Sequence, residues 1–127
     1  LLGFLADQDG YIHGLPVPFL GQPSSAVVGP ATFAKKFDSP VVPIFASRKP
    51  EGGHIVHILP PLHYKHSGDD DVDMYTLTEE CVRVTEDFIR EHPDEWIWFQ
   101  HRWMTKMSEI VDYDKKLEIR ERAHEKQ

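Results

Sequence analysis

Two carboxylates stand close together near the beginning of the chain, directly after an apolar run. Asp7 and Asp9 follow Leu1–Ala6, whose side chains are all apolar apart from the glycine. A continuous apolar run predicts a buried parallel strand, and ligands of open α/β sheets bind beyond the carboxyl ends of strands. A carboxylate there can hold a hydroxyl, an amine or a cation. The alternative is an Asx-type turn, in which both side chains bond to their own backbone.

A cation follows a second predicted strand. Arg48 comes just after an extended, apolar stretch at residues 41–46. A guanidinium at the end of a strand can bind a phosphate or a carboxylate in bidentate fashion. The alternative is a solvated hairpin turn, in which Arg48 and Lys49 are simply two exposed cations.

The chain also contains histidine, serine and cysteine residues, which are catalytic in many other proteins, but none of them lies in a recognised catalytic or metal-binding motif. His66 and Asp71 satisfy a "His, four residues, Asp" spacing, but the loop around them is polar and matches no defined metal motif, so we predict no metal site. Ser24 and Ser25 lack the Gly-x-Ser-x-Gly elbow and are expected to cap a helix. Cys81 falls on the apolar face of a predicted helix, where a thiol is buried and inert.

The segment at residues 96–103 is the most unusual in composition, because it holds three tryptophans. Indole rings supply a large apolar area together with one N–H donor. Spacing predicts a new helix that begins after Pro93, either in the core with Arg102 stacked on a tryptophan or facing a lipid surface. Composition leaves both readings open.

The overall composition narrows the class of protein. The chain has 127 residues, with 14 Lys and Arg against 21 Asp and Glu, and its formal charge is −7. This acidic balance argues against a nucleic-acid partner, and a single cysteine excludes an internal disulfide. No apolar run approaches the roughly 20 residues that span a bilayer, so the chain itself is expected to be soluble. Because the sequence begins within an apolar run, we expect it to be the C-terminal part of a longer protein.

The order of predicted elements is that of an α/β protein. A long loop at 10–23 follows the first strand, and residues 60–73 form a polar loop. The tail after residue 106 is charged and helical in pattern. The predicted elements are strand 1–6, helix 24–37, a hairpin of strands 40–46 and 54–59, a helix from Thr76 to about Glu91 opened by a Thr76/Glu79 capping box, a tryptophan-containing helix after Pro93, and a helical tail.

Taken together, these motifs resemble those of the bacterial lipid A biosynthesis lauroyl/myristoyl acyltransferases, over about residues 1–106. The closing tryptophan-rich motif is the most specific part of the resemblance. The matching pieces are Asp7-x-Asp9, Val17-Pro18-Phe19-Leu20-Gly21, Gly29-Pro30-Ala31-x-x-Ala34, Val41-Val42-Pro43, Arg48, Pro61-Leu62 and His92-Pro93-x-Glu95-Trp96-x-Trp98-x-x-x-Arg102-Trp103.

The resemblance implies the C-terminal part of a glycerolipid-acyltransferase-like α/β fold, a mixed sheet flanked by helices, over residues 1–106. Residues 107–127, a charged and helical tail by their own pattern, lie outside the resemblance. It implies transfer of an acyl chain from acyl carrier protein or coenzyme A to a hydroxyl of a lipid A precursor, with no other cofactor. The parent enzyme is expected at the cytoplasmic face of the inner membrane. Its His-x4-Asp/Glu dyad lies upstream, so no catalytic residue is expected here. By resemblance, the substrate-binding residues are Asp7, Asp9, Phe19, Gly21 and Arg48, and the structural motif comprises Trp96, Trp98, Arg102 and Trp103.

Three positions depart from the family pattern. Leu20 stands where the family usually has phenylalanine, in Phe-Phe-Gly, which is a conservative change. Gln100 stands where the family commonly has histidine, and Met104 where it has lysine. The alternatives are a related acyltransferase that acts on mannosylated phosphatidylinositol, or a non-catalytic module that binds lipid or protein. We also expect self-association, because an apolar edge strand at 1–6 is a template for pairing with another chain.

Overall fold

The computed structural model describes all residues, 1–127, and confirms an α/β composition. No helix combines the length and the apolar character that crossing a bilayer requires. Two antiparallel two-stranded sheets and three α-helices form the chain, and three single 3-10 turns connect them. The elements are β1 (Leu15–Pro16), β2 (Ser25–Ala26), α1 (Gly29–Phe37), β3 (Ile44–Arg48), β4 (His54–Ile58), α2 (Asp70–Glu91) and α3 (Tyr113–Glu125), with 3-10 turns at Tyr11–His13, Pro93–Glu95 and Met107–Glu109.

The predicted hairpin is confirmed, as β3 and β4 pair in antiparallel register. Its first strand begins after Pro43 rather than before it, because proline has no N–H for the ladder. Two glycines with positive φ close the turn, Gly52 and Gly53. One face of the hairpin packs on α2, where the rings of Phe45 and Phe88 stack with centroids 4.4 Å apart.

Helix α2 starts earlier than the capping box predicts. Its N-cap is Asp69, whose carboxylate accepts a hydrogen bond from the amide of Val72 at 3.2 Å, so the Thr76/Glu79 prediction was wrong. Acidic residues at 70, 71 and 73 fill the first turn, where the helix dipole favours negative charge. The apolar face reaches back to Val72 and Tyr75, both buried, and their burial stabilises the additional turns.

Three further predictions for local structure were wrong. Leu1–Ala6 is not a buried strand, since these residues have no strand partner and are largely exposed. Self-association was predicted to occur through an edge strand at 1–6, and no such strand forms. Ser24 and Ser25 do not cap α1, which begins only at Gly29, because both hydroxyls donate to loop carbonyls, of Val17 and Tyr11 respectively. The tryptophan segment is not a helix: it is irregular chain that follows the 3-10 turn at Pro93–Glu95, and the contacts described in the next subsection explain why.

The main core joins both ends of the chain. The helical pattern of the tail is observed as α3, which packs on α2 and on β1. Ile119 and Ala123 of α3 are buried, and Lys116 donates to the carbonyl of Gly14 at 3.0 Å. The buried members of this core are Leu15, Val17, Phe19, Ala26, Val72, Tyr75, Val82, Ile89, Ile119 and Ala123.

Candidate functional site

Asp9 is a buried carboxylate whose hydrogen bonds hold two distant segments together. It is 6% exposed. Its Oδ1 accepts from the amide of Tyr11 at 2.7 Å and from the hydroxyl of Thr105. Its Oδ2 accepts from the amide of Thr105 at 3.0 Å. A buried carboxylate is tolerated when donors surround it, so Asp9 fixes the end of the tryptophan segment against the first loop.

Asp7 holds the same segment at its beginning. Its Oδ2 accepts from the indole N–H of Trp96 at 3.2 Å and from the side-chain amide of Gln100 at 3.4 Å. Gln100 thus supplies a second side-chain N–H donor to the same carboxylate. Oδ1 of Asp7 has no partner within the chain, and the residue is only half-buried.

The rings of the tryptophan segment converge on Phe19. Phe19 is 1% exposed, and its centroid lies 5.4 Å from Trp96 and 5.7 Å from Trp103. The indole N–H of Trp103 also donates to the carbonyl of Phe19 at 3.3 Å. Trp98 is half-exposed, packs edge-on against Trp96 at 4.9 Å and donates to the carbonyl of Pro93. Asp7 and Asp9 fix the two ends of the segment from Trp96 to Thr105. Its irregular backbone lets the rings of Trp96 and Trp103 both contact Phe19.

Arg102 is the most enclosed cation in the chain. It is 1% exposed, with its guanidinium 4.4 Å from the centroid of Phe19. One nitrogen donates to the carbonyl of Ser25 at 3.0 Å, while Nε and the second terminal nitrogen have no partner. Burial lowers the pKa of Arg102, and the negative charges of Asp9, Asp7 and Glu86 oppose that effect. The core alternative predicted a helix with Arg102 stacked on a tryptophan; Arg102 is indeed buried, but its chain is irregular and the ring beneath the guanidinium is that of Phe19.

The turn that carries Gly21 is a tight reversal. Phe19 and Gln22 exchange backbone hydrogen bonds of 2.9 and 3.1 Å, and the residues between them, Leu20 and Gly21, have φ of 49° and 78°. Positive φ at both central positions is the geometry of a type I′ hairpin turn. The amide of Leu20 donates to Glu86 of α2 at 2.6 Å, which anchors the turn and leaves Gly21 exposed.

Arg48 contacts the residues just before Trp96 rather than the two aspartates. Its Nε donates to Glu95 at 3.1 Å, its backbone amide donates to the same carboxylate at 2.8 Å, and a terminal nitrogen donates to the carbonyl of Asp94 at 3.1 Å. The amide of Arg48, with its guanidinium, lowers the pKa of Glu95. The side chain of Arg48 remains 62% exposed, so this cation is accessible from solvent.

The residues of the polar loop serve local contacts. His66 lies 3.2 Å from Asp38, not on the carboxylate five residues later, and Asp70 pairs with Lys35 at 2.7 Å. Cys81 is buried, and burial raises the pKa of its thiol to about 12, as expected of an inert cysteine.

Sequence reasoning missed Thr105 and Glu86. Neither position carries a local signal, because the groups they bind, at Asp9 and Leu20, lie 96 and 66 residues away along the chain. The ligand site at Asp7 and Asp9 stays a prediction. Their spacing carries no sign that both side chains accept hydrogen bonds from residues 96–105.

The comparison with protein families finds one match that covers most of the chain. The family described as bacterial lipid A biosynthesis acyltransferase matches residues 1–105. A search of curated proteins finds no significant match. The matched region begins with the apolar run before Asp7 and ends at Thr105, the residue that binds Asp9.

Proposed function

This chain belongs to the bacterial lipid A biosynthesis acyltransferase family, and on that premise we propose that it is part of an enzyme that acylates a lipid A precursor. The donor is the thioester of acyl carrier protein or coenzyme A, and no other cofactor takes part. The match over residues 1–105 carries this proposal, because it includes the aspartates, the Phe19 turn and the tryptophan segment as one unit. The reaction takes place at the cytoplasmic face of the inner membrane.

The reaction needs a general base. Attack of a hydroxyl on a thioester is accelerated when an imidazole removes the hydroxyl proton, and a neighbouring carboxylate orients that imidazole. Within these residues, only His66 and Asp71 have the His-x4-Asp/Glu spacing. The ring of His66 contacts Asp38 instead, and its side chain is 62% exposed to water. We therefore assign the base to residues upstream of these in a longer chain.

The residues of this chain then form one wall of the site. Asp7 retains a carboxylate oxygen without a partner, and the Arg48 guanidinium is open to solvent. Asp7 is suited to bind a hydroxyl or amine of the acceptor, and Arg48 to bind a phosphate. Asp9, whose two oxygens are both occupied, supports the wall from behind. The exposed turn at Gly21 borders the channel for the acyl chain or the acceptor, and Phe19 packs beneath it.

The test is an acyl-transfer assay with labelled acyl-carrier-protein thioester and a lipid A precursor. We expect no transfer by the 127-residue chain and transfer by a chain extended upstream to include a His-x4-Asp/Glu pair. In the extended chain, Asp7→Asn should lower the rate, whereas Asp87→Asn, an exposed change on α2, should not. Transfer by the 127-residue chain would overturn the assignment of the base. An inactive but folded extended chain would contradict the function.

The identity of the acceptor lipid needs a second measurement. The related acyltransferases that act on phosphatidylinositol mannosides share the motifs of residues 1–106, so the same assay should include that glycolipid. Preferential acylation of the mannoside would replace the lipid A precursor as the substrate, and it would leave the thioester chemistry unchanged.

A further inference from the structure

Two consecutive residues hold the two side chains that the proposed function assigns to substrate binding. Glu95 accepts hydrogen bonds from Arg48, and Trp96 donates its indole N–H to Asp7. Arg48 and Asp7 come from separate parts of the sequence, at the end of β3 and in the first loop. Both are therefore fixed through one short segment of chain.

Glu95 binds Arg48 through its backbone and its side chain at once. The carboxylate accepts from the amide of Arg48 at 2.8 Å through Oε1 and from Nε at 3.1 Å through Oε2. The side chain of Glu95 is only 13% exposed, whereas that of Arg48 is 62% exposed. An enclosed carboxylate thus holds a cation that faces solvent. Two hydrogen bonds to one residue restrict the guanidinium far more than the single contact of an ordinary exposed ion pair does.

The same contacts define which part of the guanidinium a ligand can reach. A guanidinium presents its N–H groups as a planar fork that matches the oxygens of a carboxylate or a phosphate. In Arg48, Nε donates to Glu95 and Nη2 donates to the backbone carbonyl of Asp94 at 3.1 Å. Nη1 has no hydrogen-bond partner within the chain. The Nη1 end of the fork is therefore the part that is free to bind.

A second carboxylate lies close to this cation without orienting it. Oδ2 of Asp94 is 3.9 Å from Nη2 of Arg48, and its side chain is 80% exposed. It accepts no hydrogen bond from Arg48, which uses the backbone carbonyl of Asp94 instead. By charge alone, Asp94 and Glu95 both weaken the attraction of Arg48 for an anion. Only Glu95 also fixes its orientation, so the two effects can be separated by experiment.

We propose that Glu95 is a positioning residue, which orients Arg48 so that its Nη1 end binds a phosphate group of a substrate. This inference rests on the proposed function, in which Arg48 binds phosphate, and it adds the residue that prepares Arg48 for that contact. A side chain that is ordered beforehand does not lose its rotational freedom when the ligand binds. A phosphorylated sugar of the acceptor and coenzyme A are the two sources of such a phosphate, and the experiment distinguishes them.

The test titrates the isotope-labelled 127-residue chain with glucosamine 1-phosphate as the acceptor probe and with coenzyme A as the donor probe. Glucosamine without phosphate is the control ligand, and the amide and Nε–H resonances of Arg48 are followed by NMR. We expect these resonances to shift with a phosphate probe and not with glucosamine. Glu95→Gln leaves one acceptor oxygen for two donors, so it should raise the dissociation constant by about threefold to tenfold.

Asp94→Asn is the matched control for the charge. Like Glu95→Gln, it replaces a carboxylate beside Arg48 with an amide of the same size, but it removes no hydrogen bond from the guanidinium. It should leave the dissociation constant unchanged or lower it. In the Arg48→Gln background, Glu95→Gln should have no further effect on phosphate binding, because the two side chains act through one contact. Circular dichroism verifies that every variant is folded.

Kinetics of the chain extended upstream separate positioning from a structural defect. Glu95→Gln should raise the KM of the substrate whose probe responds and leave kcat unchanged, because Arg48 contacts the phosphate equally in the ground state and the transition state. A role confined to the fold would not produce an increase in KM for one substrate alone.

Three results would refute the proposal. They are no shift at Arg48 with either phosphate probe, an equal or lower dissociation constant in Glu95→Gln, or an equal loss of affinity in Asp94→Asn. A Glu95 effect with glucosamine 1-phosphate identifies the acceptor as the source of the phosphate, and one with coenzyme A identifies the donor. The titrations need neither acyl transfer nor the upstream base, so their failure is distinguishable from failure of the acyl-transfer assay.

Discussion

Asp9 accepts hydrogen bonds from both the backbone amide and the hydroxyl of Thr105, a residue 96 positions further along the chain. Asp7 makes an equivalent long-range connection to Trp96. The two aspartates therefore fix the start and the end of one irregular segment. This segment carries the indole rings that pack against Phe19, and it carries Arg102, whose guanidinium lies over the Phe19 ring. A short Asp-x-Asp sequence thus holds residues that lie 89 to 96 positions further along the chain.

We predict that Thr105→Val destabilises the fold by about 1–2 kcal/mol, because it removes a donor from a buried carboxylate while preserving side-chain shape. Thr105→Ser, which keeps the hydroxyl, should cost markedly less. Urea unfolding measures both. In the Asp9→Asn background, the effect of Thr105→Val should shrink, because the two side chains act through one contact. Additive effects in this double-mutant cycle would contradict a direct connection.

Elements governed by local pattern could be predicted from the sequence, whereas elements set by distant contacts could not. The β3–β4 hairpin follows from apolar strands around a Gly-Gly turn, and α2 from its 3- and 4-residue apolar spacing. The start of α2 was missed because Asp69 and Thr76 are both competent caps, and only the burial of Val72 and Tyr75 decides between them.

The candidate site shows the same division. Asp7, Asp9 and Arg48 were predicted from the sequence as candidate ligand-binding residues. The residues that they contact within the chain could not be predicted. The spacing of Trp96 and Trp103 suggests a helix, yet both rings reach Phe19 from irregular chain, held by carboxylates that periodicity does not take into account. Residues 1–6 have the composition of a strand, but no neighbouring strand pairs with them.

Gly21 provides a test of the Phe19 turn. Its φ is +78° and no atom lies within 4 Å of an added Cβ, so Gly21→Ala introduces backbone strain without a clash. We expect a loss of about 1 kcal/mol in the free energy of unfolding. Gly3→Ala is the matched control, since Gly3 also has open space but no positive φ. Equal stability of the two variants would exclude strain at position 21.

Asp69 should make stability depend on acid pH. The hydrogen bond from the amide of Val72, followed by the charges of Arg122 and Lys126, lowers the pKa of this N-cap carboxyl below its ordinary value. A carboxyl whose pKa is lower in the folded state stabilises the fold above the unfolded pKa of about 4, and this contribution is lost as the pH falls through the folded value. Asp69→Ala should therefore reduce stability at pH 7 and flatten the decline below pH 4 in urea unfolding curves. Asp87→Ala, an exposed change on the same helix, should leave the decline unaltered.

Cys81 should react only when α2 leaves the core. Its thiol is buried, and burial raises its pKa to about 12, which leaves almost no thiolate at pH 8. Because the pKa is higher in the folded state, folding favours the protonated thiol, and that contribution is lost as the pH rises through the folded value. With Ellman's reagent at pH 8, we expect slow labelling of the native chain and complete, rapid labelling in guanidinium chloride. If labelling of native Cys81 requires global unfolding, Thr105→Val should accelerate it. If labelling requires only a local separation of α1 and α2, the same substitution should leave the rate unchanged. Rapid labelling of the unmodified native chain would show that Cys81 is accessible in solution and would contradict its place in the core.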